Sequence, residues 1–298
     1  MGDMTGQPRR LGLVLGGTGV RGLCSAGVVG AFERSGLAPD VVVGVSTAAI
    51  VAATYASRPD WSEALQGIDR RRLPSTAGVA HDEMFARLRG TLRSARQLAP
   101  SVWTWGRQGY ESFSRQSLED LVGADQTFAQ SRIPLALVAT DLTEGSRAVI
   151  DDGPLAVAAL AASALPGVTR PVSHRGRLLV DGAFSDPAPV DVARRLGADV
   201  VVALAPLGHS PPRGDDPEGP VTGLLRGIEL GQRAFVEERL ADADVALRPN
   251  LGPDVRLLDF ASLDDATRRA ASEAAGAAAR VRKLLADAPV DRSAARRG

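Results

Sequence analysis

Residues 11–15 (Leu-Gly-Leu-Val-Leu) and 41–45 (Val-Val-Val-Gly-Val) are apolar at successive positions, not at alternate ones. A strand written that way is buried on both faces, which is the condition of strands in a parallel sheet covered by helices on both sides. Each run passes straight into a turn of small residues and then into a helical pattern. The first turn, residues 16–22, leads into a helix over 23–34 that Gly36 ends; the second, at Gly44-Val45-Ser46, leads into a helix over 47–55. The rhythm resumes with strands over 135–140, 147–150, 177–180 and 199–204, and with helices over 155–164, 190–196, 221–240 and 263–285. The expectation is an α/β chain with three layers, a mostly parallel sheet between two sets of helices.

Residues 58–132 break the rhythm with a helical pattern and no strand signal, and read as a helical insertion or lid. Within them, residues 58–115 carry all three tryptophans and ten arginines against six acids, a local charge of +4. A basic, aromatic surface of that kind favours peripheral contact with anionic lipid. The remaining expectations are a flexible N-terminus over 1–10, a single α/β domain over 11–286, a proline- and glycine-rich loop over 206–220, and a flexible tail over 287–298.

Charge and cysteine content narrow the function. Thirty-five basic and thirty-five acidic residues cancel, which argues against a duplex nucleic-acid binder. The single cysteine, Cys24, excludes an intrachain disulfide and a cysteine zinc cluster. His81, His174 and His209 lie far apart without metal-ligand spacing. The uncharged stretches 41–57 and 153–169 fall short of the ~20 apolar residues of a bilayer span, and no leader pattern is visible, so a cytoplasmic protein is expected.

Three segments carry chemistry. Gly16-Gly17-Thr18-Gly19-Val20-Arg21-Gly22 is a strand-to-helix turn whose backbone N–H groups suit a negative charge. It satisfies G-x-G-x-x-G, but the acid expected ~20 residues later falls at Asp40, which opens the second strand instead of closing it. Gly44-Val45-Ser46-Thr47-Ala48 has the form of a nucleophile elbow, with Ser46 either a nucleophile or an N-cap. Asp181-Gly182-Ala183 follows an apolar run, with Asp181 at the end of a strand expected to be parallel; its plainer reading is a turn.

In order and spacing these segments resemble the patatin-like phospholipase family, whose marks are G-G-G-x-[RK]-G, a G-x-S-x-G elbow close behind it, and a distant D-G-[GA]. Ala162-Ser163-Ala164-Leu165-Pro166-Gly167 and Pro187-Ala188-Pro189-Val190 add to the likeness. The resemblance implies a serine acyl-ester hydrolase of the phospholipase A or lipid acyl hydrolase type, with no metal and no organic cofactor. Its substrate would be a lipid or lipid-like ester. It implies Ser46 as nucleophile, Asp181 as its partner, and an oxyanion hole from the backbone at Gly17, Thr18 and Gly19. Arg21, Gly22, Gly44 and Gly182 would support that arrangement. Thr18 and Ala48 stand where the family pattern has glycine, which keeps open a non-hydrolytic lipid-binding protein; acyl transfer on the same dyad is a further alternative.

Other residues compete for roles. Asp141 ends a strand and rivals Asp181 as base, against a turn-ordering role through Thr143 and Gly145. His209 follows Ser46 and Asp181 in the chain order of an α/β-hydrolase triad, but in a proline-rich loop. Cys24 reads as a small buried residue, and Trp103, Trp105, Tyr110 and Phe113 as core or as the lining of an acyl channel.

Overall fold

The computed structural model describes residues 8–68, 115–166, 169–206, 220–252, 255 and 260–287. Its elements run β1 (Leu11–Leu15), α1 (Val20–Leu23), α2 (Ser25–Arg34), β2 (Val41–Val45), α3 (Ala48–Ser57), α4 (Trp61–Gln66), α5 (Arg115–Val122), β3 (Leu135–Asp141), β4 (Ser146–Ile150), α6 (Leu155–Ala162), β5 (Val172–His174), β6 (Arg177–Asp181), α7 (Val190–Arg195), β7 (Val200–Leu204), α8 (Pro220–Leu240), β8 (Val245–Leu247) and α9 (Leu263–Ala286). Within 58–132 the described elements are α4, α5, a short 3-10 turn over Phe128–Gln130 and an isolated antiparallel bridge from Thr127 to Pro154. Residues 69–114, with His81 and the aromatics of the insertion, lie outside the described residues, as do His209 and most of the proline-rich loop.

Among the described residues, one eight-stranded sheet organises the fold. The strands β3, β2, β1, β7 and β8 are parallel neighbours in that order, while β4 and β6 both pair antiparallel with β3, and β5 antiparallel with β6. Successive side chains of each central strand go to opposite faces. Leu11, Leu13, Leu15, Val42, Leu137 and Val202 pack with α2, α3, α6 and α9, whereas Val14, Val43, Val45, Val138 and Val201 pack with α7 and the end of α8. The expected three layers are therefore present, with α3 as the central buried helix: residues 48–56 are all buried, which is why residues 41–57 carry no charge. Among the described residues, no helix is long and apolar enough to cross a membrane.

Close helix packing follows from small residues. Ala266, Ala270, Ala274 and Ala278 make a buried stripe along α9 against α2. A Cβ on Gly27 of α2 would sit 2.2 Å from the Thr267 carbonyl oxygen, so only glycine admits that approach. At the other end of the sheet, Asp40 accepts from the Leu11 N–H at 2.7 Å while its own N–H donates to the Leu11 carbonyl. Asp40 thus fixes the start of β1 against β2, at the edge away from the glycine turn, and the dinucleotide reading has no acid at the required place. Arg9 and Arg10, assigned by sequence to a flexible N-terminus, are tied down: Arg9 donates to the Leu284 carbonyl at 2.8 Å and the Arg10 N–H to Asp199 at 2.7 Å.

One expectation is corrected. Asp181 does end a strand, but β6 runs antiparallel to β3, not parallel. Residues 139–141 pair with both β4 and β6, so these two lie on opposite edges of β3; Leu137 and Val138 pair with both β4 and β2. Consequently β2 and β6 share one edge of β3 and meet end to end there. Val45 closes β2 opposite Val138, and Asp181 closes β6 opposite Ala139. Residues far apart in sequence are thereby made neighbours by their common partner strand.

Candidate active site

The chain leaves β2 through a strained turn. Ser46 has φ of 57°, a left-handed conformation that costs a non-glycine residue on the order of 1–3 kcal/mol. Thr47, not Ser46, occupies the N-cap position of α3, so the capping interpretation of the serine is set aside. The tight exit needs small neighbours: a Cβ on Gly44 would lie 2.6 Å from Ala49 Cα and 2.7 Å from Ala52 Cβ of α3. Ser46 is fully buried, and its Oγ donates to Asp181 Oδ2 at 2.5 Å. Its other polar neighbour is the Thr18 hydroxyl at 3.0 Å.

Asp181 is also fully buried and is held from several sides. Its second carboxylate oxygen accepts from the Ala183 N–H at 2.9 Å, its N–H donates to the Ala164 carbonyl, and its own carbonyl accepts from Thr140 Oγ1 at 2.8 Å. Gly182 is required by proximity: a Cβ there would fall 2.0 Å from the Val138 carbonyl oxygen, where β2 and β6 meet. Burial pushes the Asp181 carboxyl up to about 6, against the opposing hydrogen bonds from Ser46 and Ala183. A carboxyl poised there is ionised at neutral pH and still able to take a proton.

The glycine-rich turn lies against the elbow. Gly17 and Gly19 have φ of 116° and 62°, whereas Thr18 is not among the left-handed residues, so its Cβ carries no backbone penalty. Thr47 Oγ1 donates between the Gly19 carbonyl at 2.8 Å and the Gly17 carbonyl at 3.2 Å. Because a trans peptide sets its N–H opposite its C=O, the N–H groups of Thr18 and Val20 are turned away from Thr47. Among the described residues, nothing accepts from the N–H groups of Gly17, Thr18 or Gly19. A Cβ on Gly22 would stand 2.1 Å from Thr47 Oγ1 and 2.7 Å from the Ala48 nitrogen, so this glycine admits the elbow to the turn. Arg21 reaches the Val255 carbonyl at 3.3 Å, which ties the turn to the distant chain. Neither Thr18 nor Ala48 keeps Ser46 and Asp181 apart.

Among the described residues, the competing assignments of Asp141 and Cys24 resolve in geometric terms, while His209 lies outside them. Asp141 Oδ1 accepts from the N–H groups of Thr143 and Glu144 at 2.8 and 3.2 Å, an ordered turn beyond β3. Cys24 is buried against the Arg21 carbonyl, and burial pushes its thiol up to about 12, far from nucleophilic character. His174 lies in β5, in no hydrogen bond with Ser46 or Asp181. Sequence reasoning missed Thr47 and Thr140 as supports, although Thr47 stands inside the elbow motif. It also missed an ionic cluster just after Asp181. Buried Asp186 accepts from Arg147 at 2.5 Å and from Arg239 at 2.8 and 3.0 Å, and both arginines also reach Asp191. These four residues join β4, the loop after β6, α7 and α8, and no local pattern links them.

Comparison with known proteins agrees with this architecture. The family model described as patatin-like phospholipase matches residues 13–194, well over half of the chain. An uncharacterized NTE family protein of Mycobacterium tuberculosis is 31% identical over 219 residues, covering 72% of this chain and 53% of its own. A patatin-like phospholipase domain-containing protein of Caenorhabditis elegans is 29% identical over 205 residues, covering 65% of this chain and 13% of its own. The chain therefore spans about half or less of the length of these relatives. Among solved structures, VipD from Legionella pneumophila superposes with a TM-score of 0.52 at 15% identity, over 94% of this chain and 67% of that one, a likeness of fold. From the motifs, the sheet that carries them and these matches together, the chain belongs to the patatin-like phospholipase family.

Proposed function

We propose that this chain hydrolyses acyl esters of lipids or lipid-like molecules, with Ser46 as nucleophile and Asp181 as its general base. The observation that carries the reading is the 2.5 Å hydrogen bond from a strained, left-handed Ser46 to a fully buried carboxylate. The family to which the chain belongs supplies the lipid ester as substrate class.

The chemistry runs in two halves. As Ser46 Oγ bonds to the ester carbonyl carbon, its proton passes to Asp181 and the carbonyl π electrons move to oxygen. The N–H groups of Gly17, Thr18 and Gly19 receive that oxyanion. Collapse of the intermediate breaks the bond to the alkoxy oxygen, which takes the proton from Asp181 and leaves as an alcohol. Water then gives a proton to Asp181, attacks the acyl carbon, and releases the acid as Ser46 recovers its proton. Among the described residues no imidazole is hydrogen-bonded to Ser46 or Asp181, so in this reading the short contact between them stands in for the greater basicity of histidine.

A screen of p-nitrophenyl esters and phospholipids, with the Ser46→Ala protein as blank, tests the proposal. Ester cleavage that depends on Ser46 is expected; equal rates for parent and Ser46→Ala remove it.

A further inference from the structure

Among the described residues Ser46 Oγ has two hydrogen-bond partners, and only one of them, Asp181, belongs to the proposed dyad. The other is Thr18 Oγ1, 3.0 Å away. The serine has a single proton, and at 2.5 Å that proton is directed to Asp181, a carboxylate that only accepts. In the second bond the Thr18 hydroxyl is therefore the donor. The G-G-G-x-[RK]-G pattern has glycine at this place, so the hydroxyl is an addition that the family motif does not provide. The backbone admits it without strain, because the left-handed positions of the turn fall on Gly17 and Gly19.

This placement has consequences through the reaction. In the free protein one lone pair of Ser46 Oγ is taken by Thr18 and the proton by Asp181, which leaves one lone pair for the carbonyl carbon. The nucleophile is thereby held in one orientation. Once the bond to carbon forms, Oγ becomes an ester-type oxygen and a poor acceptor, while negative charge appears on the carbonyl oxygen. That oxygen is received at the turn which includes the Thr18 N–H, so hydroxyl and amide of one residue flank the same developing charge. We propose that the Thr18 hydroxyl is a catalytic hydrogen-bond donor, which fixes Ser46 Oγ in the free protein and passes to the carbonyl oxygen as its charge develops. The inference rests on the Ser46–Asp181 hydrolase reading. The O–H bond of Thr18 stays intact throughout, and the transferred protons move only among Ser46, Asp181, the leaving alcohol and water.

Three substitutions test it: Thr18→Val keeps the shape and removes the hydroxyl, Thr18→Ser keeps the hydroxyl, and Thr18→Gly restores the family residue. Steady-state hydrolysis of a p-nitrophenyl ester and the rate of labelling by a fluorophosphonate are read for each, with thermal melting as the control for folding. Loss of one oxyanion donor typically costs about a hundredfold or more in kcat, so Thr18→Val should fall by that factor with KM within about twofold. Thr18→Ser should stay within about threefold of the parent, and Thr18→Gly should fall with Thr18→Val although it matches the family pattern. Labelling should slow in parallel, since the phosphoryl oxygen takes the place of the carbonyl oxygen. If Thr18→Val melts early, the Ser and Gly variants carry the comparison. Parent-like kcat in Thr18→Val, or a Thr18→Gly protein at least as fast as the parent, overturns the role of Thr18 alone. A parent that neither hydrolyses the ester nor takes up the fluorophosphonate overturns the hydrolase reading and this inference together.

Discussion

Replacing Asp181 by asparagine should abolish turnover and at the same time stabilise the fold. The carboxyl is fully buried, faces no arginine or lysine among the described residues, and is raised from its ordinary 3.8 to about 6. The sign follows from linkage: between those values the native state binds more protons than the unfolded chain, so stability falls as pH rises through that window. At ~1.4 kcal/mol for each tenfold change in proton affinity, the ionised carboxylate opposes folding by roughly 3 kcal/mol once the pH is above 6. Asparagine carries no such cost, and its carbonyl can still accept from the Ala183 N–H. Urea titrations of the parent and Asp181→Asn, in parallel from about pH 4 to about pH 8, isolate the term because every other titration is shared. The stability gap in favour of Asp181→Asn should be near zero at the acid end, open through the window between 3.8 and 6, and stay level above it. A gap independent of pH, or an Asp181→Asn protein less stable than the parent near pH 8, refutes the account of a strained buried charge.

Further outcomes follow from the same contacts. Ser46→Ala and Asp181→Asn should each lower kcat by about a thousandfold or more, and the double variant should be little worse, because the pair acts as a unit; His174→Ala should keep most activity. In a pH–rate profile, kcat/KM should decline below about pH 6 as Asp181 takes up a proton, and a flat profile down to about pH 4 would place the base elsewhere. Gly182→Ala must displace the Val138 carbonyl 2.0 Å from its new methyl, and should lose roughly 2–3 kcal/mol in urea melts together with most activity. Asp186→Ala leaves Arg147 and Arg239 without their buried partner, and should destabilise by about 3 kcal/mol as read by thermal melting, an effect that added salt does not restore.

Much of this site could be read from the chain because its parts are locally encoded. The glycine turn, the elbow and the Asp-Gly step each stand directly after an apolar run, and the residues that make each turn possible are neighbours in sequence. Gly44 and Gly182 are demanded by approaches of 2.6 Å and 2.0 Å to adjoining backbone, so their presence already announces a close crossing. The uncharged stretch over 41–57 was legible as strand, turn and buried helix because its composition changes from valine to alanine at the elbow. The three-residue strands β5 and β8 were not legible, since three residues are too few to show a period.

Direction and partnership, by contrast, were decided only in three dimensions. An apolar run does not say which way its strand enters a sheet, and β6 reads the same whether parallel or antiparallel. Pairing with β3 turned it around, set its end against that of β2, and so chose Asp181 over Asp141 as the neighbour of Ser46. The same holds for Asp186, Asp191, Arg147 and Arg239, whose charges come from separate elements and become a cluster only when α7 and α8 cover one face of the sheet. Local sequence determined the turns, because backbone strain and close packing act between near neighbours. The meeting of Ser46 and Asp181 rests on hydrogen-bond register between distant strands, a long-range quantity that no single segment carries.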